Sequence, residues 1–197
     1  MQRIPRHPTL TRRPQARLAV VCALLVLGFG AGPQAQAPVE EAIRVVPLAR
    51  DGRLLVSFSV ADSYTDAVRE AIHSGLRTTF TYDIELRLAV PAWIDQTIAT
   101  ATITNTVEYD NLTRQHAIMR TIDGRTIHEE RTEDEALVRA LMTTLEQEPL
   151  FNTAALEPSR EYYVRVQATA VRPRNAPFLW PWGGSGSAGQ ASFTFLP

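Results

Sequence analysis

Lysine is absent from the 197 residues, so all 20 basic side chains are arginines. Chemistry that needs an amine on a flexible stem is excluded: a Walker-type phosphate lysine, a Schiff-base lysine and a pyridoxal-phosphate anchor. Cysteine is nearly as scarce. The single one, Cys22, sits inside an early apolar run, and the bulky Val21 before it does not suit a lipoprotein cleavage site. Once that run is removed, the chain has no disulfide, no thiolate metal site and no cysteine nucleophile, and must be held together by its core. Excess positive charge is missing too. Beyond Ala37 fifteen arginines face all 21 acids, which argues against nucleic acid as a partner, because a basic patch would be expected there.

What is present begins with an address. Arg3, Arg6, Arg12, Arg13 and Arg17 precede an apolar run from Leu18 to Phe29, followed by a small-residue tail ending Ala35-Gln36-Ala37. Residues 1–37 therefore read as an export signal. The apolar run falls short of the roughly 20 residues that a spanning helix needs. The alternative is an uncleaved inner-membrane anchor over residues 18–32, because cleavage after Ala37 would leave Pro38 at the new N-terminus. Arg12-Arg13 is a weak match to a twin-arginine signal, since Pro14 and Gln15 follow it.

Residues 38–52 read as an entry linker with a short strand around Ile43 to Leu48, and 53–197 as one exported domain. "RLLVSFSV" alternates, with Leu54, Val56, Phe58 and Val60 on one face. A helix follows, with Asp62 or Ser63 as N-cap, Ala67, Val68, Ala71 and Ile72 at helical spacing, and Gly75 as its stop. "TFTYDIELRLAV" is the clearest strand, with Phe80, Tyr82, Ile84, Leu86, Leu88 and Val90 facing one way, and Pro91 ends it. Then come "TIATATITNTVEY", a turn near Asp110-Asn111, "RQHAIMRTI", and a tight hairpin at Asp123-Gly124 leading into Arg125 to Glu130. Thr132 and Glu135 stand at capping-box spacing before a second helix with Ala136, Leu137, Ala140, Leu141 and Leu145 along one stripe, ending before Pro149. "EYYVRVQATAV" and "ASFTF" are the last strands. The fold class expected is α+β and mainly β: antiparallel sandwich-like sheets with two packed amphipathic helices.

Motifs of chemistry fail on context. His128-Glu129-Glu130-Arg131-Thr132 begins like a zinc-protease helix but has Thr132 where the second histidine belongs. His73, His116 and His128 are read as surface or hydrogen-bonded side chains, and no metal and no cofactor is assigned. Gly184 to Gly189 spells the dinucleotide fingerprint, yet Trp-Pro-Trp precedes it where a strand is required, so a flexible linker is the better reading. The acids of Glu133-Asp134-Glu135 have a sufficient role at a helix start. No catalytic residue is assigned.

"LLVSFSVADSYTDAVREAIHSGLRTTFTYDIEL", the acid-capped helix, "YYVRVQATA" and the late "PFLWPWG" before "SFTF" resemble an exported bacterial family, domain of unknown function 4390, over Gly52 to Phe195. The resemblance implies an envelope protein of proteobacterial type, with a membrane sensor kinase as a conceivable signalling partner, and carries no catalytic residues.

The remaining signal is the loop at 173–190, where Phe178, Leu179, Trp180 and Trp182 stand among prolines. Large rigid aromatics on a stiff backbone suit docking, which makes these four the partner-binding candidates of a non-enzymatic envelope domain whose partner is an envelope or inner-membrane protein. Three rivals stay open: aromatics that seal their own sheet, contact with a membrane through the loop or an uncleaved N-terminal segment, and a different role altogether. That last reading is an apolar-ligand carrier, marked by a cavity between sheets, or a hydrolase using carboxylates from separate strands. The oligomeric state is not legible.

Overall fold

The structure is a computed structural model that describes residues 42–61, 63–169 and 187–196. Strands β1 (Ile43–Arg50) and β2 (Arg53–Val60) form a hairpin, and helix α1 (Asp66–His73) follows. Then come β3 (Thr78–Leu88), β4 (Gln96–Asp110), β5 (Gln115–Ile122) and β6 (Arg125–Thr132). Helix α2 (Glu135–Thr143) runs directly into β7 (Thr144–Asn152), and after a 3₁₀ turn the chain closes with β8 (Glu161–Thr169) and β9 (Ala188–Thr194). A three-stranded sheet ordered β1-β2-β7 packs on a six-stranded sheet ordered β6-β5-β4-β3-β8-β9, and all pairings are antiparallel. This is the expected mainly-β α+β sandwich with two helices.

Alternation decides which side of each strand is inside. Phe80, Tyr82, Ile84, Leu86 and Leu88 of β3 are buried against Leu54, Val56 and Phe58 of β2 and Val164 and Val166 of β8 in one core. Burying such a side chain contributes on the order of 1.5–3 kcal/mol. On β4 the alternation sets Ala101, Ile103, Asn105 and Val107 inward and the threonines Thr102, Thr104 and Thr106 on the other face. Asp123-Gly124 makes the expected two-residue turn with both residues at positive φ, and Asp51-Gly52 makes the same turn between β1 and β2. Residues 43–50 are thus a full strand of the sandwich.

Several sequence expectations are corrected. Thr65, and not Ser63, caps α1, accepting from the Val68 N–H at 3.3 Å, while Asp62 lies outside the described residues. Asp134 caps α2, accepting from Ala136 at 2.8 Å, and Thr132 instead accepts from the Asp134 N–H at 3.0 Å. The buried face of α2 is Val138 and Met142, with Ala136 and Ala140 exposed. That helix also ends sooner than its apolar spacing suggests, because β7 follows at once and places Leu145 and Phe151 in the core. Pro149 is accommodated because β7 is an edge strand. Gly189, read as linker, belongs to β9: a Cβ there would lie 2.0 Å from the Ile43 carbonyl oxygen, so only glycine permits this approach to β1.

The junction from α2 to β7 is fixed by a buried polar network. Arg120 of β5 donates from Nη2 to the carbonyls of Leu141 and Thr144, and from Nε to Asn105 Oδ1 at 2.9 Å. The Asn105 amide donates to Leu141 and Met142 carbonyls at 3.0 and 3.1 Å, and the Tyr82 hydroxyl donates to the Met142 carbonyl at 2.7 Å. Three neighbouring strands thereby take up the carbonyls that the end of a helix leaves without intrahelical partners. The positive guanidinium also lies where the helix dipole favours it.

Candidate functional site

Besides the turn that leaves Leu112 95% exposed, two places in the described residues depart from what a folded core alone requires. One is the tip of the β3–β4 hairpin. Val90-Pro91-Ala92-Trp93 closes a turn in which the Trp93 N–H donates to the Val90 carbonyl at 3.1 Å. Pro91 fixes the second position, and Ala92 takes φ 60, a left-handed conformation that costs a non-glycine residue on the order of 1 kcal/mol. Asp95 ties the loop shut. Its carboxylate accepts from the Val90 N–H at 3.1 Å and the Tyr163 hydroxyl at 2.9 Å, and Arg87 donates to its backbone carbonyl at 3.1 Å. The Val90 N–H, then the Tyr163 hydroxyl, hold the Asp95 carboxyl below the usual carboxylate range. Burial, followed by the bond to Asp95, raises the Tyr163 hydroxyl.

This clamp leaves Trp93 81% and Ile94 79% exposed. Leu196, just beyond β9 at the same end of the sheet, is exposed as well. Tryptophan is normally among the more buried side chains. An apolar pair presented on a strained, hydrogen-bonded turn is the arrangement of a preorganised contact, because little loop entropy is lost on docking. Sequence reasoning missed it by stopping at Pro91. The available signal was a tryptophan next to isoleucine in a segment too short to bury either.

The second place lies under α1. His73, at the end of that helix, meets Tyr109 of β4 with ring centroids 5.1 Å apart and His116 of β5 at 5.5 Å, and Tyr109 meets His116 at 4.7 Å. Glu135, at the start of α2, approaches both His73 and Arg69 at 3.8 Å. His116 is only 2% exposed, which corrects its reading as a surface histidine, and neither ring nitrogen makes a hydrogen bond of good geometry, although the Thr132 backbone lies close enough to act on the ring. Burial pushes its pKa below the ordinary imidazole value; His73 pushes the same way, while the Thr132 backbone and Glu135 oppose. Glu135 also borders an open cleft of about 320 Å³ lined by Tyr64, Asp66, Arg69 and Arg139. Burial raises the Tyr64 hydroxyl, which is also without a partner.

Of the three histidines considered together, the structure brings His73 and His116 into contact and leaves His128 on β6, 3.1 Å from Glu130. The segment from His128 is strand, so it offers no zinc-protease helix. Among the described residues no group of three His, Cys, Asp or Glu side chains could hold a metal ion. Phe178, Leu179, Trp180 and Trp182 lie outside the described residues. Thr169 and Ala188, which flank their segment, pair with β3 and β8 at the end of the sheet opposite Trp93. Among the described residues no helix is long and apolar enough to cross a membrane.

No curated protein and no solved structure matches the chain. The family described as Domain of unknown function (DUF4390) matches residues 40–174, which takes in β1 to β8 and both helices but stops short of "PFLWPWG" and the last strand. With well over half of its length matched, the chain belongs to the DUF4390 family.

Proposed function

We propose that this protein is an exported, non-enzymatic domain of the bacterial cell envelope that docks on a protein partner, with Trp93 and Ile94 as its anchor. The observation that carries the reading is the exposure of these two side chains on a turn held by Asp95. A flat ring beside a branched aliphatic suits a shallow apolar pocket on a folded protein, where buried aromatics supply most of the binding energy. Export rests on the basic start and apolar run of residues 1–37. Two acids whose titration is displaced lend carboxylate chemistry no support. Asp95 and Asp110 are both shifted downward, in each case first by a backbone N–H, whereas a general acid needs an upward shift.

Trp93→Ala is expected to leave stability within about 0.5 kcal/mol, as surface changes do, while abolishing the interaction. The test is photocrosslinking in cells from a probe at position 93, with a second probe at Leu179. The reading predicts one discrete protein adduct from position 93 that disappears when Ile94→Asp is added. Adducts only to lipid, or only within the chain, would overturn it.

A further inference from the structure

Helix α1 holds the sheet through a short apolar face, Val68, Ala71 and Ile72, and through His73 at its end. Beneath His73 lies His116, enclosed and with no hydrogen bond of good geometry at either ring nitrogen, the Thr132 backbone being its nearest polar neighbour on β6. A neutral imidazole has one donor and one acceptor, whereas the protonated ring has two donors and a charge. The groups facing it are few. His73 comes from α1, Tyr109 from β4 and Glu135 from α2, and the opposite residue on β6 is Thr132, whose side chain is uncharged but whose backbone favours the protonated ring less strongly than burial disfavours it. Glu135 is the one acid among them, and it is already approached by both Arg69 and His73. A proton on His116 would therefore place a buried positive ring against His73 with no carboxylate of its own.

We propose that the His73–His116 contact is an acid-sensitive latch, which keeps α1 on the sheet while His116 is neutral and releases it when His116 is protonated. Release uncovers Val68, Ala71, Ile72 and the sheet positions beneath them, giving the domain a second apolar surface that is shown only in acid. The downward displacement of His116 by burial agrees with this direction. A histidine that is neutral when the helix is docked and ordinary when it is free makes undocking easier only as pH falls below the ordinary value of 6.5.

Hydrogen–deuterium exchange on the full chain at pH 7.5 and 5.5, corrected for intrinsic rates, tests the latch. The amides of Arg69, Ser74, Gly75 and Leu76, which bond within and just after α1, should lose protection by up to about tenfold at pH 5.5, the limit set by one histidine linkage. Amides of β3 and β4 should keep theirs. His116→Phe, which preserves ring packing, should hold α1 equally protected at both pH values. Equal protection in the unaltered protein, or a loss that survives in His116→Phe, would overturn the proposal. Should that variant fail to fold, His73→Gln must shrink the loss, and an undiminished loss would overturn it equally.

Discussion

Helices α1 and α2 lie on the same sheet, but they meet it differently. The last carbonyls of α2 face Arg120, Asn105 and Tyr82, and each donor finds an acceptor. Under α1 the corresponding strands present Tyr109 and His116, and the buried imidazole makes no hydrogen bond of good geometry. A satisfied buried network rigidifies its surroundings, whereas a buried polar group without partners forfeits on the order of 1–3 kcal/mol. The contrast assigns the α2 side to the fold. It marks the α1 side as a part of the sandwich where a buried polar group is left poorly satisfied.

The sharpest way to break this contrast is to empty the α2 network. Arg120→Leu leaves the Thr144 carbonyl and Asn105 Oδ1 without their donor, and urea denaturation should show a loss of about 2–4 kcal/mol. Tyr82→Phe removes one donor from a carbonyl that Asn105 still serves, so the same measurement should give about 1 kcal/mol.

His116→Phe probes the other side with the opposite sign. Because its folded pKa lies below that of the unfolded chain, the unfolded state binds more protons, and stability falls as pH drops below 6.5 toward the folded value. The variant should match or exceed the unaltered protein at pH 5.5 and flatten the dependence of Tm on pH in that window. An unchanged slope would place the titration elsewhere.

Asp95→Asn is the smallest and most local test. Its folded pKa is depressed, so the Asp95 contribution is present above 3.8 and is lost as pH falls through the folded value. The variant should speed hydrogen exchange at the Val90 amide with little change in global Tm, and partner binding through Trp93 should weaken.

Legibility followed the range of the interactions. Strand β3 and the Asp123-Gly124 turn were readable because period-two burial and positive φ act over a few residues. Strand β7 was not, because Leu145 continues the helical spacing of α2 and only Arg120, arriving from β5, shows where the helix stops. Of the site, Trp93 was visible as a residue but not as an exposed one, since exposure depends on Asp95 reaching Tyr163 across 68 positions. His116 looked like any strand histidine beside charges.

The sequence by itself therefore determined the mainly-β class, most strand faces and the absence of lysine and thiol chemistry beyond the apolar start, because these depend on residue identity and local period. The tertiary structure alone decided that β7 pairs with β2, that Gly189 must lie against Ile43, that Trp93 faces outward and that two histidines meet beneath α1. Each joins segments far apart in the chain, and their approach is set by how the two sheets and helices pack, which local sequence pattern does not encode.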